Sequence, residues 1–350
     1  MGWRGLAGQA VDAALKAVPI RAWEAVSPRS LALCYHEVAA GDLPHVRSLF
    51  AYKTPSEFAD DVEYLRRRYE LVTVADLEER LDRADGASRP ALAITFDDGL
   101  VECHSVVLPI LRRAGVRATF FLVTGCLDNQ AMIYRHQAAL CLHRLGAAAA
   151  GERASLLGAV NRELGLGLGS VDDLLRLISD LRADRMALLD RISRSLGIEP
   201  QDYLREQGPY LTRRQALDLA EEGHLLGAHG VTHRDFQCLG EKEIEAEIVE
   251  SCAVIAGLTG RTRVSFAAPF TLDRLDRHHL QRIRRAHPEV GWIYGTSGFR
   301  KEPEGLLNRV VADSPRRARS GRSNLPFLIR SAYASRARLA LSGMGGGARS

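Results

Sequence analysis

Two short stretches of this chain carry the residue types of a metal site. Asp97 and Asp98 stand in Thr95-Phe96-Asp97-Asp98-Gly99 at the end of an apolar run. His229 and His233 stand in His229-Gly230-Val231-Thr232-His233, after the apolar segment Leu225 to Ala228. Two histidines four residues apart turn their imidazoles toward one point if the segment makes a single helical turn, and a carboxylate from a strand end completes a three-ligand face. Such a face leaves a coordination position open for water, which separates a catalytic zinc-type site from a closed structural one. Each stretch alone has a plainer reading, since Asp-Asp-Gly after an apolar run is a common way for a strand to enter a turn. Their occurrence together, in this order, favours the catalytic reading.

The pair resembles the polysaccharide deacetylases, the NodB-homology or carbohydrate esterase family 4 group. The resemblance spans roughly residues 29 to 315 and implies that Asp98, His229 and His233 hold a divalent metal, zinc foremost, with cobalt, nickel or manganese as alternatives. It makes Asp97 the general base. Ala118 to Val123 resembles the family's next strand and Ser265 to Phe270 its third motif, where the backbone N–H at the position of Phe270, after Pro269, stabilises the oxyanion. Leu31 to Val38 is similar to the opening strand of the exopolysaccharide deacetylases that act on poly-N-acetylglucosamine, in which the motif with the catalytic acid is permuted to the front. The usual family places a histidine acid near the C-terminus. No histidine follows His287 here, so the resemblance points to His36 as the acid, with His104, His224 and His278 to be considered if His36 is structural.

Two departures accompany the resemblance. Many members carry an arginine at the start of the third motif that orients and tunes the base, and Ala267 stands in the corresponding stretch. Arg309, in Leu306 to Val311, is the candidate replacement, an ordinary surface arginine being the other reading. Thr271 occupies the place of the glycine that usually follows the Pro-aromatic pair, so the loop at Phe270 is expected to be shaped differently.

The elements that must position these residues are legible as periodicity. Strand-like segments fall at Leu31 to Tyr35, Leu71 to Val74, Ala91 to Phe96, Ala118 to Val123, Leu225 to Ala228, Val264 to Ala267, Gly291 to Tyr294 and Leu307 to Val311. Between them Pro55 to Tyr69 and Glu241 to Leu258 repeat apolar residues at helical spacing. Alternation of β and α predicts a mainly parallel sheet. The resemblance implies an α/β fold of a distorted, incomplete (β/α)7-type barrel. In barrels of this kind reacting residues sit where strands end, and Asp97, Asp98, His36 and the His229 loop all follow strands.

The remaining segments suggest the domain plan. Residues 128–208 read as a helical insertion, either packing on the barrel flank or walling the substrate groove. Residues 1–28 read as a helical extension with no secretory signal or membrane span, because Asp12, Lys16, Arg21 and Glu24 interrupt every apolar run. Residues 316–350 form a basic tail. Eight arginines and no acidic residue follow Asp313, so the formal net charge of +4 resides there. Leu325 to Leu341 is expected either to lie as a basic amphipathic helix on an anionic membrane or to be solvated and disordered. Nucleic-acid binding is not indicated, since the tail lacks a pattern of stacking aromatics.

A length of 350 residues, with 46% hydrophobic and 26% charged, fits a globular enzyme with room for extras. Six scattered cysteines without a C-x2-C pair indicate neither a zinc ribbon nor a disulfide framework, and a reducing, cytoplasmic setting, extending to the inner membrane face, is the expectation. The expected function is a metal-dependent hydrolase that removes N-acetyl groups from an amino sugar of a polysaccharide or glycolipid, releasing acetate. Two other classes compete: a deformylase or amidase on a lipid-linked or small-molecule amide, and a catalytically silent carbohydrate-binding relative. The intact Asp-Asp and His-x3-His set argues against the silent reading.

Overall fold

The computed structural model describes residues 18–19, 22–23, 30–83, 89–313 and 324–344. Its frame is a parallel sheet of short strands: β1 (Ser30–Tyr35), β2 (Glu70–Val72), β3 (Ala91–Phe96), β4 (Thr119–Leu122), β5 (Leu225–Ala228), β6 (Val264–Ala267), β7 (Val290–Gly295), β8 (Leu306–Asn308) and β9 (Val310–Val311). The hydrogen-bonded order is β8-β7-β6-β5-β4-β3-β1-β9, with β2 sharing an edge of β3 with β4. Every residue of β3, β4, β5, β6 and β7 is buried, as strands covered on both faces require. The path ends on β8 and β9, which one residue, Arg309, separates in sequence, so the sheet curls into a nearly closed α/β barrel.

Two readings of strand bounds change. Leu71 to Val74 ends at Val72, because Thr73 accepts the Asp76 N–H and gives its own N–H and hydroxyl to the Asp76 carboxylate. That cap starts helix α2 (Val74–Arg83) at Val74. Leu307 to Val311 is two strands rather than one. β8 pairs with β7 and β9 with β1, and the chain changes partner at Arg309.

Helices cover the outside. The first, α1 (Pro55–Arg68), begins in a capping box of Thr54 and Glu57 and buries Phe58, Val62 and Leu65. A short helix, α3 (Leu108–Ala114), follows β3. Between β4 and β5 the chain passes through α4 (Tyr134–Ala147), α5 (Ala150–Leu164), α6 (Val171–Asp180), α7 (Met186–Ser195) and α8 (Pro200–Gln207) before α9 (Arg213–Glu221) leads into β5. Helices α4 to α7 enclose an apolar core of their own, with Cys141, Leu145, Val160, Leu174, Ile178 and Ile192 at its centre. Helix α10 (Glu241–Thr259) packs Ile248, Cys252 and Ile255 into the barrel core, and α11 (Arg277–Ala286) precedes β7.

The last helix, α12 (Leu325–Met344), corrects the solvated, disordered reading of the tail. It is ordered, and it buries Leu325, Ile329 and Tyr333 in the main core, with Tyr333 against Phe299 at 4.5 Å between ring centroids. Leu328 packs there as well, so the first turns of this helix are part of the barrel core. Lys53 fastens its start, donating to Asn324 Oδ1 at 2.6 Å while lying 3.4 Å from Asp61. Among the described residues no helix is long and apolar enough to cross a membrane. The 1–28 extension falls outside the described residues except at 18–19 and 22–23, as do 314–323 and 345–350 of the tail.

Candidate active site

The residues after β1, β3, β5, β6 and β7 meet Val311, the last residue of β9, at one end of the barrel in a pocket of about 280 Å³. At the end of β3, Asp97 still bonds to the sheet through its N–H on Tyr35 O at 2.9 Å, and the chain then turns abruptly. Asp98 has φ 69° and Gly99 φ 74°. A non-glycine residue in the left-handed region costs on the order of 1 kcal/mol, and that twist swings the Asp98 carboxylate away from Asp97 toward the histidines. Leu211 N–H closes the turn on Gly99 O at 2.9 Å.

The His-x3-His segment is not the single helical turn that its spacing suggested. It is a bend with φ 81° at Gly230 and 55° at His233. Glu247, buried on α10, holds it together. Its carboxylate accepts the N–H groups of Val231 and Thr232 at 2.7 and 3.0 Å and the Thr232 hydroxyl. A Cβ on Gly230 would meet Glu247 Oε2 at 2.9 Å, so close approach as well as φ calls for glycine. The two imidazoles end 4.8 Å apart between centroids. His229 Nδ1 is 2.8 Å from Ala267 O, and because a carbonyl only accepts, Nδ1 carries the proton and Nε2 is left bare.

Asp98, His229 and His233 thereby form a buried triad whose ligand atoms lie within 4.8 Å of one another. Asp98 Oδ1 is 3.2 Å from His233 Nε2 and 3.5 Å from His229 Nε2, yet it is a buried acceptor with no hydrogen bond. Burial alone would raise the Asp98 carboxyl, but His136, His229 and His233 around it hold it well below the usual carboxylate range. Burial lowers the His233 imidazole below its ordinary 6.5 and keeps it neutral. An anionic oxygen and two imidazole nitrogens suit a zinc-type divalent ion.

Asp97 has a different environment. Arg309, fully buried at the joint between β8 and β9, presents its guanidinium fork to the carboxylate, Nη1 to Oδ1 at 2.6 Å and Nη2 to Oδ2 at 2.7 Å. The surface reading of Arg309 is therefore wrong. Cys34 adds its thiol to Asp97 Oδ2 at 3.3 Å, and burial pushes that thiol well above its ordinary range, so it stays a neutral donor. Burial would raise the Asp97 carboxyl, and Arg309 more than offsets this, holding it at about 2. Cys34, His36 and Asp97 also approach within 4.8 Å as potential ligands, but the guanidinium already occupies both Asp97 oxygens.

His36 faces the same pocket from the end of β1. Its Nδ1 is 2.6 Å from Asp313 Oδ2, which also accepts the His36 backbone N–H at 2.8 Å, and Phe50 packs on the ring at 4.8 Å. Burial lowers the imidazole pKa, but the Asp313 hydrogen bond and charge reverse that and lift it to about 9. Across the pocket Phe270 has φ 60°, an unusual state for a bulky residue, with its carbonyl bonded to Thr296 Oγ1 at 2.7 Å and its ring 5.2 Å from that of His233. Pro269 lies beside the His loop, 3.7 Å from where a Gly230 Cβ would be.

Sequence reasoning did not single out Asp313, Cys34, Glu247 or His136 for the site. Asp313 was visible only as the last acidic residue of the chain, and Cys34 only as the residue two before His36. His136 comes from α4 and is 1% exposed, with Nε2 3.7 Å from Asp98 Oδ2. His104, His224 and His278 do not line the pocket.

The sequence matches the family described as polysaccharide deacetylase over residues 84–147 and 198–286; the interval 148–197, which holds α5 to α7, separates the two matched stretches, and 1–83 and 287–350 lie outside them. Two solved structures are similar in fold. The deacetylase PplD of Streptococcus pyogenes, in complex with acetate, is 15% identical at a TM-score of 0.51, covering 81% of this chain and 91% of that one. IcaB from Ammonifex degensii is likewise 15% identical at a TM-score of 0.51, covering 87% of this chain and 96% of that one. No curated protein matches the sequence.

Proposed function

The chain belongs to the polysaccharide deacetylase family, and from that premise we propose that it is a metal-dependent hydrolase removing N-acetyl groups from an amino sugar of a glycan or glycolipid. One observation carries the reading: two adjacent carboxylates are given opposite tasks, Asp97 pinned by Arg309 and Asp98 turned onto His229 and His233. A silent carbohydrate-binding relative has no use for that division.

A divalent ion, zinc by the donor set, held by Asp98, His229 and His233 would supply the Lewis acidity that an amide carbonyl and an attacking water both need. Asp97, ionised at neutral pH, takes the proton of that water as it attacks the acetyl carbon. The Phe270 N–H donates to the oxyanion that develops on the former carbonyl oxygen. His36, kept charged by Asp313, delivers its proton to the sugar nitrogen as the C–N bond breaks, so the products are acetate and a free amine. Arg309 and Cys34 keep the Asp97 oxygens oriented and anionic.

The test is acetate release from N-acetylated oligosaccharides, polymers and lipid-linked sugars, using metal-stripped protein with and without added zinc, cobalt, nickel or manganese. Zinc-dependent acetate release from at least one sugar amide is expected. Formate release from N-formyl sugars with none from N-acetyl sugars would instead establish the deformylase reading.

A further inference from the structure

We propose that His136, on α4, is a positioning residue of the metal centre, its Nε2–H holding the outer oxygen of Asp98 so that the carboxylate meets the ion through Oδ1 alone. This rests on Asp98, His229 and His233 being the ligands. The two Asp98 oxygens have different surroundings. Oδ1 faces both ligand histidines and accepts no hydrogen bond, whereas Oδ2 faces His136 Nε2 at 3.7 Å. That gap is longer than a hydrogen bond, and a small rotation of the Asp98 side chain on taking up its ion closes it.

The position of the His136 proton follows from what stands behind the ring. Nδ1 lies 2.8 Å from the Tyr210 hydroxyl, whose oxygen accepts the Ile133 N–H at 3.0 Å. The phenol's single proton then goes to Nδ1, and an imidazole that accepts at Nδ1 carries its proton on Nε2, directed at Asp98. The ring is held in place. Tyr210 stacks on it at 5.7 Å and 11°, His45 packs on its edge at 5.6 Å, and Asn129 bonds both the N–H and the carbonyl of Tyr210. A donor on Oδ2 stops Asp98 from binding the ion through both oxygens, which preserves the coordination position that hydrolysis needs. The helices between β4 and β5 thus contribute to the centre itself as well as to its walls.

The experiment measures zinc affinity by competition with a chromophoric chelator, the absorption spectrum of the cobalt form, and the number of imidazole nitrogens on zinc by X-ray absorption. Full-length wild type is compared with His136→Ala, His136→Gln and Tyr210→Phe. His136→Ala should lose zinc affinity by about 10- to 100-fold and change the cobalt spectrum. His136→Gln, whose amide N–H replaces Nε2–H, should recover most of the loss, and Tyr210→Phe should fall between. Thermal melts identify a variant that has merely unfolded; if His136→Ala is one, unchanged affinity and spectrum in Tyr210→Phe overturn the proposal. So do wild-type affinity and spectrum in a folded His136→Ala, or three imidazole nitrogens on wild-type zinc. Absence of zinc binding by the wild type would instead overturn the ligand assignment on which the proposal rests.

Discussion

Arg309 and Asp97, 212 residues apart in sequence, form a two-pronged ion pair inside the barrel, with both contacts at 2.6–2.7 Å and the guanidinium fully buried. The arginine comes from the seam where β8 gives way to β9, so closure of the sheet and ionisation of the proposed base depend on the same residue.

Arg309→Ala leaves a buried carboxylate unpaired, which typically costs about 3–5 kcal/mol of stability and is read by chemical denaturation. Arg309→Lys keeps the charge but not the fork. Arg309 holds the Asp97 carboxyl down at about 2, so a weaker partner lets burial raise it, and the acid limb of the pH–rate profile should move to higher pH. An unmoved acid limb in a folded Arg309→Lys would mean that Asp97 is not the base.

Asp97→Asn is nearly isosteric and cannot accept a proton. It should bind metal with wild-type stoichiometry, measured by elemental analysis, and lose at least two orders of magnitude in kcat. Turnover near the wild-type rate would place the base elsewhere.

His36 and Asp313 predict the alkaline behaviour. A general acid must be protonated, and the imidazole is lifted to about 9, so activity should decline as pH rises through about 9. Asp313→Asn removes the charge that favours the imidazolium, so the decline should begin at lower pH, and His36→Ala should abolish that limb with most of the rate. An activated acetyl ester, whose leaving group needs little protonation, should suffer far less than a sugar amide. Equal losses on both substrates would make His36 structural. The raised pKa also has a stability consequence: the pair's contribution is complete below the ordinary value of 6.5 and is lost as pH rises through about 9.

Glu247→Ala removes the acceptor for two backbone N–H groups of the His229–His233 bend. Zinc affinity should fall about tenfold or more although no ligand has been changed, which chelator competition would show. Unchanged affinity would mean that the bend holds its shape without Glu247.

The sequence by itself determined most of the strands, the helical character of the insertion and which residues are candidates for a metal site, because each is written locally. Apolar runs of strand length produced β3, β5 and β6, and Asp97, Asp98, His229 and His233 are distinguished by residue type and short spacing. What only the tertiary structure decided depends on partners far apart in the chain. Nothing near Arg309 says that it is buried on Asp97, since a lone arginine in a strand-like run reads equally well as surface. Asp313 reaches His36 over 277 residues, and Glu247 shapes the histidine bend from another helix. His136 was hidden because amphipathic periodicity marks which face of a helix is buried without saying against what. The shape of the bend was also beyond reach: residue spacing does not encode φ, and the left-handed residues Gly230 and His233 are sustained by contacts that exist only in the folded chain.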